Sequence, residues 1–201
     1  RRKNTPKNAP TLLYGYGSYG ISIPPSFSAS RLSLIDRGMV YAIAHIRGGM
    51  EKGKKWYEDG KKKNKLNSFN DFISCAKFLK KKNISGNISI HGGSAGGLLI
   101  GASLNISPDT FHCAIAEVPF VDVLNTILDD TLPLTPPEWE EWGNPIKNKS
   151  DFNYIRSYSP YDNIKKQSYP AILATSGLTD PRVTYWEATK WIAKLRNEKI
   201  D

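Results

Sequence analysis

Residues Gly92-Gly93-Ser94-Ala95-Gly96-Gly97 set a serine between glycines at G-x-S-x-G spacing. That pattern makes a hydroxyl nucleophile for acyl transfer when a strand runs into it and a helix runs out. Both contexts are present. Asn87–His91 is an apolar run of strand character, and Leu98–Leu104 is an apolar run of helix character. A turn that sharp strains the serine backbone, and only small residues at Gly92 and Gly96 let strand and helix approach closely. Ser94 Oγ is then presented at the tip, where the helix N-terminus favours negative charge. The same six residues also read as a glycine-rich strand-to-helix turn with Ser94 as its N-cap.

A serine nucleophile of this kind needs an acid and a histidine, in the chain order Ser, Asp or Glu, His. Asp180 follows the strand-like Ala171–Thr175 and the turn Ser176–Thr179, the expected place for the acid. It also reads as a turn residue or an N-cap with Pro181 at the first helical position. His45, His91 and His112 all precede Asp180 and read as structural or as supports behind the site. The base is therefore expected beyond Asp201. An oxyanion hole needs two donors aimed at the developing charge. One is the backbone N–H of Ala95, and the other should come from the loop Gly15–Gly20.

The elements that must position these groups alternate. Pro10–Tyr14, Met39–Ile46, Ile88–Ile90, Cys113–Val118 and Ala171–Thr175 read as short buried strands. Phe27–Arg37, Ser68–Lys82, Phe120–Leu128 and Tyr185–Asn197 read as helices. In the second of these, Ser68 is expected as N-cap with Asp71 as its capping-box partner. In the last, Trp186, Thr189, Trp191, Ile192 and Leu195 are the expected inward positions. Gly53–Asn67 and the proline-rich Thr131–Asn148 read as irregular. Short apolar strands alternating with helices imply an α/β fold, a mostly parallel sheet with helices on both faces.

The 201 residues suffice for one domain with one core. No apolar run approaches the roughly 20 residues of a membrane helix, and the basic N-terminus lacks the apolar core of a signal peptide. Cys75 and Cys113 form neither a disulfide framework nor a metal-ligand spacing, so a reducing, cytoplasmic setting is expected, with no metal and no cofactor. The net charge of +9 rests largely on lysine runs at 61–65 and 80–82, which read as solvated faces and not as a nucleic-acid surface. The charge is segregated. Residues 98–146 contain no Lys or Arg but hold Asp109, Glu117, Asp122, Asp129, Asp130, Glu138, Glu140 and Glu141, a local charge of −8. A carboxylate-lined surface beside a nucleophilic serine suggests a cationic substrate.

Tyr14-Gly15-Tyr16-Gly17, Ile46-Arg47-Gly48-Gly49, the Ser94 segment and Tyr158-Ser159-Pro160-Tyr161-Asp162-Asn163 resemble the catalytic domain of the prolyl oligopeptidase family, an α/β-hydrolase. Trp56-Tyr57-Glu58-Asp59-Gly60, Val118–Val123 and Glu141-Trp142-Gly143-Asn144-Pro145 are similar to its oligopeptidase B (protease II) branch. The likeness runs from about Pro10 to the C-terminus. It implies Ser94 as nucleophile, Asp180 as acid, and the Tyr16 hydroxyl acting with the Ala95 amide on the oxyanion. It implies cleavage of short peptides after Arg or Lys, with Glu138 and Glu140 binding the side chain before the scissile bond. Arg182 resembles an arginine that holds the substrate backbone in prolyl-cleaving relatives. Against the family's pattern the chain is expected to be one partial catalytic domain, truncated at both ends. The β-propeller, the opening sheet strands and the closing histidine segment are the missing parts needed to complete it.

The expectation is a serine endopeptidase for short basic peptides, with neither nucleic-acid nor membrane partners, and inactive as these 201 residues alone for want of the histidine. A lipase or esterase is the alternative enzyme, although its apolar acyl pocket fits the acidic segment poorly. A non-catalytic remnant of the scaffold is the third reading.

Overall fold

The computed structural model describes residues 1–200. Five strands, β1 (Ala9–Tyr14), β2 (Val40–Ile43), β3 (Ser85–Gly93), β4 (Cys113–Glu117) and β5 (Ala171–Thr175), form one sheet in the order β2-β1-β3-β4-β5. Every pairing is parallel. Among the described residues eight α-helices accompany them: α1 (Ala29–Asp36), α2 (Lys54–Glu58), α3 (Leu66–Lys81), α4 (Ala95–Ile106), α5 (Val123–Leu128), α6 (Thr135–Trp142), α7 (Lys149–Tyr158) and α8 (Tyr185–Glu198). This is the parallel α/β sheet the alternation implied, in the α/β-hydrolase class that the resemblance implied.

The strand order places the site. From β1 the chain crosses outward to β2, whereas from β3 it crosses the other way to β4. Right-handed crossovers then send α1 and α4 to opposite faces, so the loops after β1 and β3 diverge. The gap they leave at the carboxyl ends of the strands is where open α/β sheets bind ligands. Gly15–Gly20 follows β1 and Ser94 follows β3, so the two flank that gap.

The core lies between the sheet and α3 and α4. Ile88 and Ile90 of β3, Phe69, Phe72 and Ala76 of α3, and Leu98 and Ile100 of α4 are all fully buried. Helix α4 is covered on every side from Ala95 to Asn105, which explains why its sequence is apolar without a stripe. The other face of β3 carries Ser89 and His91 and is half-buried.

Several elements depart from expectation for local reasons. Gly53–Asn67 is ordered and contains α2, with Lys54–Glu58 and Lys55–Asp59 pairs along one face. Helix α3 starts at Leu66, so Ser68 is not its cap; its buried hydroxyl donates to the Arg47 carbonyl at 2.7 Å. Asp71 forms an ion pair with Arg47 at 2.6 Å instead of closing a capping box. Helix α6 lies inside the segment expected to be irregular. Its Pro136 and Pro137 fall in the first turn, where an N–H has no helical partner to lose. Helix α7 carried no expectation; Asn148 caps it, accepting the Ser150 N–H at 2.9 Å. Strand β2 stops at Ile43 and α5 begins only at Val123. Helix α8 turns Glu187, Ala188, Trp191 and Leu195 inward and leaves Trp186 and Thr189 outside.

Candidate active site

Ser94 sits at φ 54° and ψ −121°, a left-handed conformation that a non-glycine residue holds only at a cost of about 1–3 kcal/mol. The surrounding turn enforces it. The Ser94 N–H donates to the Glu117 carbonyl at 2.9 Å, and the Ser94 carbonyl accepts from Gly97 at 2.8 Å and Phe120 at 3.0 Å. A Cβ at Gly92 would collide with the Gly96 carbonyl, and one at Gly96 would lie 3.0 Å from the Gly15 oxygen and 3.3 Å from Tyr16 Cδ2. These are the close approaches that the glycine spacing called for. The Ser94 side chain makes no cap hydrogen bond, so the plain N-cap reading does not hold.

Ser94 opens onto a cleft of about 370 Å³. Tyr16, Ala95, Glu138, Arg182 and Glu187 line it together with Ser94, and Phe120, Ile127 and Leu132 supply an apolar wall. The Ala95 N–H is the first of α4 and has no carbonyl to bond within the helix. Burial, ahead of neighbouring Tyr14 and Glu138, pushes the Tyr16 hydroxyl up to about 12. Tyr16 therefore stays protonated across the neutral range and is able to donate.

Asp180 is half-buried in the loop after β5, and the next two residues, Pro181 and Arg182, border the cleft. Its Oδ1 accepts the Arg182 N–H at 2.8 Å and the Val183 N–H at 3.1 Å. Among the described residues, Oδ2 has no partner. Because α8 begins at Tyr185, Asp180 is not the N-cap of a helix and Pro181 is not a first helical residue.

Glu138 and Glu140 part company. Glu138 lines the cleft; its Oε2 accepts from Tyr19 Oη at 2.8 Å and Trp142 Nε1 at 2.6 Å. Its Oε1 has no partner among the described residues. Glu140 is 87 % exposed and pairs with Lys62 at 3.2 Å, away from the cleft. Two residues apart on α6, their side chains cannot share a face. The acidic segment disperses in the same way. Asp122 binds Lys190 at 2.7 Å, Glu117 faces His91 at 3.0 Å, and Glu141 accepts from the Tyr19 N–H and Tyr57 Oη. Of its eight acids only Glu138 reaches the cleft, so the acidic segment contributes one carboxylate to it and not a carboxylate-lined surface.

Glu187 was not anticipated. It is fully buried beside the cleft, where Oε2 accepts the Val121 and Asp122 N–H groups at 2.9 Å each and Oε1 accepts from Thr126 Oγ1 at 2.7 Å. Burial raises its carboxyl to about 7 despite those donors. No local signal marked it, because a glutamate in a lysine-bearing helix reads as surface.

The histidines lie elsewhere. His45 Nε2 is 2.8 Å from the Ile23 carbonyl. His91 is held between Glu117 and the edge of Tyr14 on the half-buried sheet face. His112 precedes β4 at the end of the sheet opposite Ser94.

Residues 25–201 match the model of the prolyl oligopeptidase family. The chain is 51% identical over 191 residues to dipeptidyl aminopeptidase BI of Pseudoxanthomonas mexicana, covering 94% of this chain and 26% of that protein. It is 50% identical over 195 residues to protease 2 of Moraxella lacunata, covering 96% of this chain and 28% of that protein. Oligopeptidase B from Leishmania major superposes with a TM-score of 0.95 at 51% identity, covering 99% of this chain and 28% of that one. The chain thus spans about a quarter of the length of these relatives.

Proposed function

This chain belongs to the prolyl oligopeptidase family, and from that premise we propose that it is the acyl-transfer portion of a serine endopeptidase that cleaves short peptides after arginine or lysine. The observation that carries the proposal is the meeting, in one cleft, of a strained seryl residue, the Ala95 backbone, the Tyr16 side chain and a Glu138 carboxylate with one oxygen unengaged among the described residues.

In this reading Ser94 Oγ attacks the scissile carbonyl and its proton passes to a base. The oxyanion that forms is held by the Ala95 N–H and the Tyr16 hydroxyl. The base returns the proton to the leaving amine, and an acyl-Ser94 ester remains for water to hydrolyse. The base is a histidine from outside these 201 residues, oriented by Asp180 Oδ2. Glu138 Oε1 receives the substrate's guanidinium or ammonium, a charge-assisted hydrogen bond of about 1.5–3 kcal/mol. Arg182 borders the path of the substrate backbone. Glu140 takes no part in this reading, because it faces Lys62. The two free thiols agree with a reducing, cytoplasmic setting.

The apolar wall of Phe120, Ile127 and Leu132 favours one other substrate, a neutral acyl ester. The test compares the complete protein on an arginyl amide, a matched norleucyl amide and a neutral ester. Preference for the arginyl amide, abolished by Ser94→Ala, is expected. Preference for the ester would overturn the peptidase reading. Analysis of the products of a longer peptide separates internal cleavage from release of N-terminal dipeptides.

A further inference from the structure

Lys65, the residue that leads into α3, is only 1% exposed, yet no carboxylate lies within ion-pair distance among the described residues. Its Nζ donates to the Gly17 carbonyl at 2.6 Å and to Ser18 Oγ at 2.8 Å, and lies 4.9 Å from the Trp142 ring centroid. Burial lowers the ammonium to about 8 while Glu141 pulls the other way, so it remains mostly charged at neutral pH. An aliphatic side chain would escape that desolvation cost. It would also leave the buried acceptors at Gly17 and Ser18 short of a donor.

The two acceptors immediately follow Tyr16. The next residue is gripped from the other side, since Glu141 Oε1 accepts the Tyr19 N–H at 3.0 Å while Oε2 accepts from Tyr57 Oη at 2.6 Å. Residues 17, 18 and 19 are thus held in succession by a buried cation and a buried anion. Gly17 and Tyr19 both have positive φ, 72° and 59°, a backbone that does not hold its shape unaided. Tyr16 has no hydrogen bond of its own to fix its hydroxyl among the described residues, so its direction depends on that backbone and on the packing of its ring against Gly96.

We propose that Lys65 is a positioning residue for catalysis, holding the Gly17–Tyr19 backbone so that the Tyr16 hydroxyl points at the oxyanion. The proposal rests on the reading of Tyr16 as an oxyanion donor. A lysine that acts through Tyr16 has a measurable signature, because its removal costs nothing once the Tyr16 hydroxyl is gone.

The experiment is a double-mutant cycle in the complete protein, using an arginyl amide and comparing wild type, Lys65→Met, Tyr16→Phe and the double variant. Lys65→Met is expected to lower kcat about 30-fold with KM within about threefold. In the Tyr16→Phe background the same change is expected to cost less than about threefold. Full additivity, or a raised KM at unchanged kcat, would overturn the assignment. If Lys65→Met fails to fold by circular dichroism, Ser18→Ala carries the same cycle. It removes one of the two loop contacts and is expected to lower kcat about fivefold only when Tyr16 is intact. A Tyr16→Phe variant as active as wild type overturns the proposal by a different route, since the oxyanion reading beneath it fails. Additivity with an impaired Tyr16→Phe variant overturns the role of Lys65 alone.

Discussion

At the residue scale, chemistry turns on which oxygen atoms are already engaged. Glu138 keeps one oxygen bound by Tyr19 and Trp142 and one unengaged, whereas Glu140 spends its charge on Lys62. Glu138→Gln should raise the KM of arginyl substrates about 10- to 100-fold, the factor that corresponds to a charge-assisted hydrogen bond. Glu140→Gln should leave it within about twofold, as an exposed ion pair is worth little. Equal losses in steady-state assays would restore the paired reading that the family resemblance implied. Glu187 bears on stability. Burial pushes its folded carboxyl up to about 7, above the ordinary 4.5, so the folded state holds its proton where the unfolded chain has lost it. That contribution, roughly 3 kcal/mol at most, is fully present below pH 4.5 and is lost as pH rises through 7. Urea denaturation should show the wild type losing stability relative to Glu187→Gln between pH 4.5 and 7; parallel curves would count against it. The Ser94 turn was legible because its neighbours name its chemistry, whereas Glu138 was singled out only by the family resemblance. Glu187, Tyr19 and Lys65 were not legible, since burial of a charged or polar side chain depends on elements distant in the chain.

At the element scale, the β3–α4 turn and the loop after β1 are one unit, and their two contacting glycines have different duties. A Cβ at Gly92 meets the Gly96 carbonyl, backbone against backbone, and neither can yield. Gly92→Ala should therefore cost at least about 3 kcal/mol, or prevent folding. A Cβ at Gly96 lies 3.0 Å from the Gly15 oxygen and 3.3 Å from the Tyr16 ring, contacts that a shift of a few tenths of an ångström in the Tyr16 loop relieves. Gly96→Ala should leave the thermal midpoint within a few degrees while lowering kcat at least about tenfold through Tyr16. Calorimetry beside kinetics separates the two, and loss of stability at both positions with no specific loss of kcat would refute the division. The strands were readable as short apolar runs flanked by turn residues, although one face of β3 is only half-buried and β5 is partly exposed. Helix α6 was obscured by its own prolines, and α2 by its lysines. In both, position within the helix made residues of poor or ambiguous character acceptable.

At the scale of the whole molecule, the sheet ends in two unpaired strands, β2 and β5. Leu173 on β5 is 58% exposed, and Phe27 and Leu178 are more exposed still. Unpaired edges with exposed apolar residues promote association. The 201-residue chain on its own should associate with rising concentration in sedimentation experiments and turn over no arginyl amide. A monomer that cleaves at the rate of the complete protein would mean that all catalytic groups lie within these residues. The net charge of +9 opposes association and is screened by salt, so association should grow with ionic strength.

Local pattern alone determined the α/β class, the parallel sheet and the Ser94 turn, because periodicity and glycine spacing are written into neighbouring residues. Chain order and its place after the last strand pointed to Asp180, and the resemblance carried by several short motifs supplied Tyr16 and Glu138. Only the tertiary structure decided which carboxylates face the cleft, where the histidines lie and how Lys65 and Glu141 grip the loop that bears Tyr16. Those outcomes depend on the rotation of each helix about its own axis and on contacts between residues as far apart as Tyr19 and Glu141. Such contacts are settled by how the assembled layers exclude water, and no stretch of the chain specifies them by itself.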